Sequence, residues 1–96
     1  MAVIKGETSS GFSYEVNEKV RQNWLFVKAV ARAENAPTDE GKVLALVDVV
    51  HLLMGDEGEN RLCEHLMDEE GMVPSDRLIS EVREILQQLG EQAKNS

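Results

Sequence analysis

Apolar side chains at Val43, Leu44, Leu46, Val47, Val50, Leu53 and Met54 recur at the i, i+3, i+4, i+7 spacing of a wide helical stripe. Val49 and Leu52 extend that stripe until it nearly encircles the helix, and only Asp48 and His51 interrupt it. A helix apolar on most sides belongs in a core. The polar lead-in Thr38-Asp39-Glu40 supplies a start signal with Thr38 as N-cap, so the pattern predicts a central helix over 39–54. A bilayer span needs about 20 apolar residues, more than this run contains.

The flanking segments read as cover for that helix. Residues 2–16 predict a hairpin: Ala2-Val3-Ile4 and the alternating Phe12-Ser13-Tyr14-Glu15-Val16 are β-prone, and Gly6 to Gly11 is turn chemistry. A helix over about 17–34 follows, with Asn17 as its cap and Val20, Trp24, Val27 and Ala31 as its inward stripe, a face that Leu25, Phe26, Ala29, Val30 and Ala33 widen. Pro37 ends it. Gly55 then closes the central helix, and a third helix over 57–70 carries Leu62, Cys63, Leu66 and Met67 at helical spacing. Its expected end, Asp68-Glu69-Glu70, sets three carboxylates against the helix dipole. A fourth helix over 75–89 starts at Ser75 and carries Leu78, Ile79, Val82, Ile85, Leu86 and Leu89 in one stripe, leaving 91–96 as a flexible tail. The fold class predicted is mainly α, a small N-terminal β-hairpin followed by a compact bundle of about four helices in one domain over 1–90. Its expected core anchors are Trp24, Leu46, Val50, Leu53, Leu66, Val82 and Ile85.

Composition narrows the partners. Ninety-six residues make one small domain, and a formal charge of −8 repels phosphate backbones and anionic lipid, which disfavours nucleic acid and membrane as partners. The charge is uneven. Asp56 to Gly71 is strongly acidic, whereas Asn17 to Ala33 is basic, a polarity that suits self-association or docking between unlike faces and equally fits two solvated helix faces. The residues this points to are Arg21, Lys28 and Arg32 on the basic side and Glu64, Asp68, Glu69 and Glu70 on the acidic side.

The chemistry-bearing residues form no enzyme signature. Cys63 is the one cysteine, which excludes an intrachain disulfide and suits a reducing compartment; with no signal-peptide pattern in MAVIKGETSS, cytoplasm is the expected location. Asp56-Glu57-Gly58-Glu59 departs from the calcium-loop order because glycine comes third. His51, Cys63 and His65 lack the paired spacing of a metal site, and on an ideal helix Cys63 and His65 point about 200° apart. No catalytic residue, metal ligand or cofactor is expected.

With these elements in place, a set of residues resembles the tail assembly chaperones of long-tailed bacteriophages and prophages. They are Phe12 and Val16, Trp24, Leu52-Leu53-Met54-Gly55, Leu62, Glu64-His65-Leu66, the run Asp68-Glu69-Glu70-Gly71-Met72-Val73-Pro74, and Glu81 with Ile85. The pattern H-L-x-D-E-x-G-x-V-P is the most specific part. Asn23 stands where an acidic residue is expected before the tryptophan. The resemblance implies an oligomer-forming protein of the host bacterial cytoplasm, absent from the mature virion. It would bind the helical tape measure protein and keep it soluble while tail tube protein polymerises around it. The family is often made in two lengths by ribosomal frameshifting, and Ala93-Lys94-Asn95 can be encoded with a slippery heptamer of the form A-AAA-AAC. The alternative reading is a small acidic regulator that binds a host protein.

Overall fold

The computed structural model describes residues 3–95, with side chains to Glu91; Ala2, expected in the hairpin, and Ser96, expected in the tail, lie outside the described residues. Strands β1 (Val3–Glu7) and β2 (Ser13–Asn17) pair antiparallel, with Ile4 opposite Val16 and Gly6 opposite Tyr14. The alternation in β2 buries Tyr14 and Val16 and exposes Ser13, Glu15 and Asn17. Two strands alone are marginal in water, and this pair is held by leaning its apolar face on helices.

Three helices follow: α1 (Trp24–Asn35), α2 (Asp39–Leu66) and α3 (Ser75–Asn95). The expected second and third helices are thus one element, and the break anticipated at Gly55 is a kink inside it. Gly55 has φ of +70°, a left-handed conformation that costs glycine nothing, and the chain resumes its helix at once. Thr38 caps α2 as expected, its side chain accepting from the Gly41 N–H at 3.0 Å. The last helix runs past its expected end at Leu89, through Gly90 to Asn95. Among the described residues no helix is long and apolar enough to cross a membrane.

The core is one cluster joining all layers. Phe12, Tyr14 and Val16 from the hairpin meet Val49, Val50, Leu53, Leu62 and Leu66 from α2 and Val82, Ile85 and Leu89 from α3, with Phe26 and Ala29 contributed by α1. Six of the expected anchors, Leu46, Val50, Leu53, Leu66, Val82 and Ile85, are buried there. Trp24 is not. It is 69% exposed, which overturns its placement as a core anchor. The cause is a shifted helix start: Asn17 caps only a 3-10 turn over Glu18–Gln22, and Asn23 caps α1 by accepting from the Leu25 N–H at 3.0 Å. Trp24 then falls in the first turn, and α1 buries Phe26, Ala29, Val30 and Ala33 of the expected face to different depths.

Tyr14 makes the hairpin sensitive to alkali. Its ring is buried, and its hydroxyl donates to Gln88 Oε1 on α3. Burial and, second, the nearby Glu84 carboxylate push the phenol above its ordinary value of 10.0. The stability from a neutral buried phenol is complete below pH 10.0 and is lost as pH rises through the higher folded value, because the unfolded chain ionises first. Stability measured by urea unfolding is expected to fall above pH 10, and Tyr14→Phe should flatten that decline. Tyr14 is the only tyrosine, so tyrosinate absorbance reports it alone.

Candidate functional site

An open groove lies where α1, α2 and α3 converge. Val30 and Ala33 of α1, Leu46 and Val49 of α2 and Leu86 of α3 give the groove an apolar lining. Lys42 and Arg83 stand at its edges with Glu34 and Gln87, and the space measures about 530 Å³. An apolar trough with a few charged groups at its edge is the geometry that accepts the apolar face of an amphipathic helix. A shallower apolar depression, lined by Phe26, Val27, Val30 and Ala31 with Arg21 and Glu34, adjoins it on α1.

The residues expected to bind partners do not form one surface. Arg21 is turned toward α3, where its guanidinium donates to the Leu89 carbonyl at 3.0 Å. Lys28 and Arg32 lie exposed on α1, and Arg32 pairs with Asp48 of α2 at 3.8 Å. On the acidic side, Glu64 is exposed near the end of α2, while Asp68, Glu69 and Glu70 lie beyond its last residue, Leu66. The expected conflict with the helix dipole is therefore relieved, because the chain has left the helix before the carboxylates begin.

Much of the run from His65 to Pro74 has a folding task. The Asp68 carboxylate accepts from the N–H groups of Glu70 at 2.9 Å and Met72 at 3.0 Å, and so shapes the connector. Gly71 takes φ of +80° within it, Val73 packs on the core, and the Pro74 carbonyl accepts from Leu78 as α3 begins. Glu69 and Glu70, with Met67 and Met72, are left exposed.

A second polar constellation, unanticipated from the sequence, ties the hairpin turn to the helices. The Ser10 hydroxyl donates to Glu81 Oε1 on α3 and lies 3.1 Å from His65 Nε2 on α2. Thr8 Oγ1 is 3.2 Å from Ser10 Oγ and accepts from the Phe12 N–H at 3.2 Å. With its own proton committed to the carboxylate, Ser10 accepts from the Nε2–H tautomer of His65. Serine, histidine and a carboxylate thus meet, but in the wrong order for acyl transfer: an activated serine needs the imidazole between hydroxyl and carboxylate, and here the hydroxyl is in the middle. Beside it, Ser9 donates through both its N–H and its hydroxyl to Glu84. The cluster clamps the turn; the Phe12 ring lies tilted by 47° at 5.5 Å from the His65 ring, with the Arg61 guanidinium 5.6 Å from its centroid.

The remaining soft ligands are dispersed. His51 Nδ1 contacts Asp56 at 3.0 Å across the kink. Cys63 is half-buried, and burial first, then Glu59, raises its thiol above the ordinary value, which lowers its thiolate content at neutral pH. Among the described residues no three histidine, cysteine or acidic side chains come together as a metal site. Compared with known protein families, with curated proteins and with solved structures, the chain matches none.

Proposed function

We propose that this chain is a tail assembly chaperone, binding the tape measure protein in the host cytoplasm and keeping it soluble while tail tube protein assembles around it. The observation that carries the reading is the open groove between α1, α2 and α3, whose apolar lining and flanking Lys42 and Arg83 suit an amphipathic helix with acidic flanks. The run H-L-x-D-E-x-G-x-V-P adds the resemblance in sequence. The resemblance implies that the tape measure protein is long and helical, so many copies of a small domain with one groove each would coat it.

The test is co-expression with the very long, helix-rich protein expected from the neighbouring gene. Capture of that protein by the wild type is expected, with at least a tenfold loss for the Lys42→Glu, Arg83→Glu double variant, since reversing two edge charges turns attraction for an acidic flank into repulsion. Both changed residues lie outside the buried core, so the melting temperature should be preserved. Capture undiminished by the double variant would remove the groove from the reading. Specific recovery of a host enzyme instead of the long protein would establish the regulator alternative.

A further inference from the structure

Among the described residues, five of the eight large apolar side chains left exposed lie on α1 and α2: Trp24, Leu25, Val27, Leu44 and Val47. Helical spacing sets Trp24, Leu25, Lys28 and Arg32 along one outward strip of α1, and Glu40, Leu44, Val47 and Asp48 along one of α2. The Arg32–Asp48 ion pair, both side chains 61% exposed, joins the two strips into one surface. This surface differs from the groove, which is lined by Val30, Ala33, Leu46 and Val49 on the inner sides of the same helices.

We infer that this outer face of the α1–α2 pair is the interface of a two-fold symmetric dimer, in which a second copy of the chain covers it. The distribution of charge selects that occupant. The cations Lys28 and Arg32 are on one helix and the anions Glu40 and Asp48 on the other, so an occupant of either single sign meets repulsion from half the face. A second copy meets none. A two-fold axis parallel to the helix pair lays α1 of one protomer on α2 of the other, and each residue keeps the level it has within its own chain.

Those levels follow from the antiparallel packing. Asn23 shares a depression with Leu52, and Ala33 shares the groove with Lys42, which puts Lys28 level with Val47 and Asp48, Trp24 with His51, and Ala31 with Leu44. Across the axis, Lys28 of each protomer therefore meets Asp48 of the other. Trp24 and Leu25 cover Val47 and His51, and Leu44 meets Ala31. The face holds a tryptophan, the residue type most enriched where interfaces concentrate their binding energy. The assembly is a four-helix arrangement that closes on itself, leaving both grooves free. The inference stands on this surface alone and does not depend on the chaperone reading.

Sedimentation or light scattering on the full chain tests it. The wild type should have about twice the 10.7 kDa mass of one chain, with dissociation on dilution. Val47→Lys sets a cation against Lys28 and should weaken the dimer at least tenfold, while circular dichroism shows the helices intact. Lys28→Glu and Asp48→Lys should each be monomeric, yet mixed together they should form a one-to-one dimer, because both copies of the contact then join unlike charges. A wild type monomeric at every concentration would overturn the inference, as would a dimer indifferent to Val47→Lys. Failure of the two charge variants to combine would overturn its two-fold geometry.

Discussion

Leu62→Ala should cost about 2–5 kcal/mol, a large share of the roughly 5–15 kcal/mol that holds a small domain together. Leu62 has no exposed surface and belongs to the cluster that joins Phe12, Tyr14, Val82 and Ile85. It lies in the part of α2 beyond the Gly55 kink, where that helix packs with the hairpin and α3. Removing its isobutyl group loses the transfer energy of the buried carbons and leaves a cavity that the hairpin and helices can close only by shifting together. Trp24→Ala is the internal contrast. At 69% exposure it leaves no buried cavity in the monomer, and its stability should change by about 0.5 kcal/mol or less. Urea unfolding followed by circular dichroism compares the two; for Trp24 the measurement is made at a concentration where the protein is monomeric. A Leu62→Ala loss below about 1 kcal/mol would mean that the three layers do not share one core.

That contrast also marks how far the sequence could be read. The stripe of 75–89 is legible because it has one dominant apolar face, from which Val82, Ile85 and Leu89 are buried; the stripe of 39–54 nearly encircles its helix, and the structure buries only Leu46, Val49, Val50 and Leu53 of it, leaving Leu44 and Val47 exposed. Gly55 is legible as a stop because glycine is the residue suited to a left-handed position, although packing lets the helix continue beyond it. The first helix is different. It carries one wide apolar face, in which Leu25, Phe26, Ala29, Val30 and Ala33 widen the stripe of Val20, Trp24, Val27 and Ala31, and periodicity alone does not say which part of so wide a face is buried. Two asparagines six positions apart, Asn17 and Asn23, are both competent caps. Because Asn23 caps the α-helix, Val20 is buried from a separate turn and the stripe loses its first member. The second asparagine was the signal that could have corrected the reading. The groove is lined by residues from three helices spread between positions 30 and 87, and the Ser10–Glu81 bond joins residues 71 positions apart, so neither has a local signature.

Ser10→Ala tests that distant bond, and its effect should depend on what stands at position 81. Glu81 is only 6% exposed, Ser10 donates to its Oε1, and among the described residues its Oε2 has no hydrogen-bond partner. A buried carboxylate with one donor has little to lose before it has nothing. Deleting the hydroxyl leaves a desolvated polar group unpaired, at a cost of about 1–3 kcal/mol or more if the group is charged, well above the roughly 1 kcal/mol of an ordinary hydrogen bond. It also frees the hairpin turn from α3 at this point, although the Ser9–Glu84 bonds remain. In a Glu81→Met background the same Ser10→Ala change removes a hydroxyl that no longer faces a carboxylate, and replacing both partners by apolar groups can be nearly neutral. The double-mutant cycle should therefore give a coupling of about 1–3 kcal/mol between positions 10 and 81, within the range for residues in direct contact. A coupling near zero would show that the turn is held by packing of Phe12 against His65 and Arg61, with the buried carboxylate contributing nothing to it.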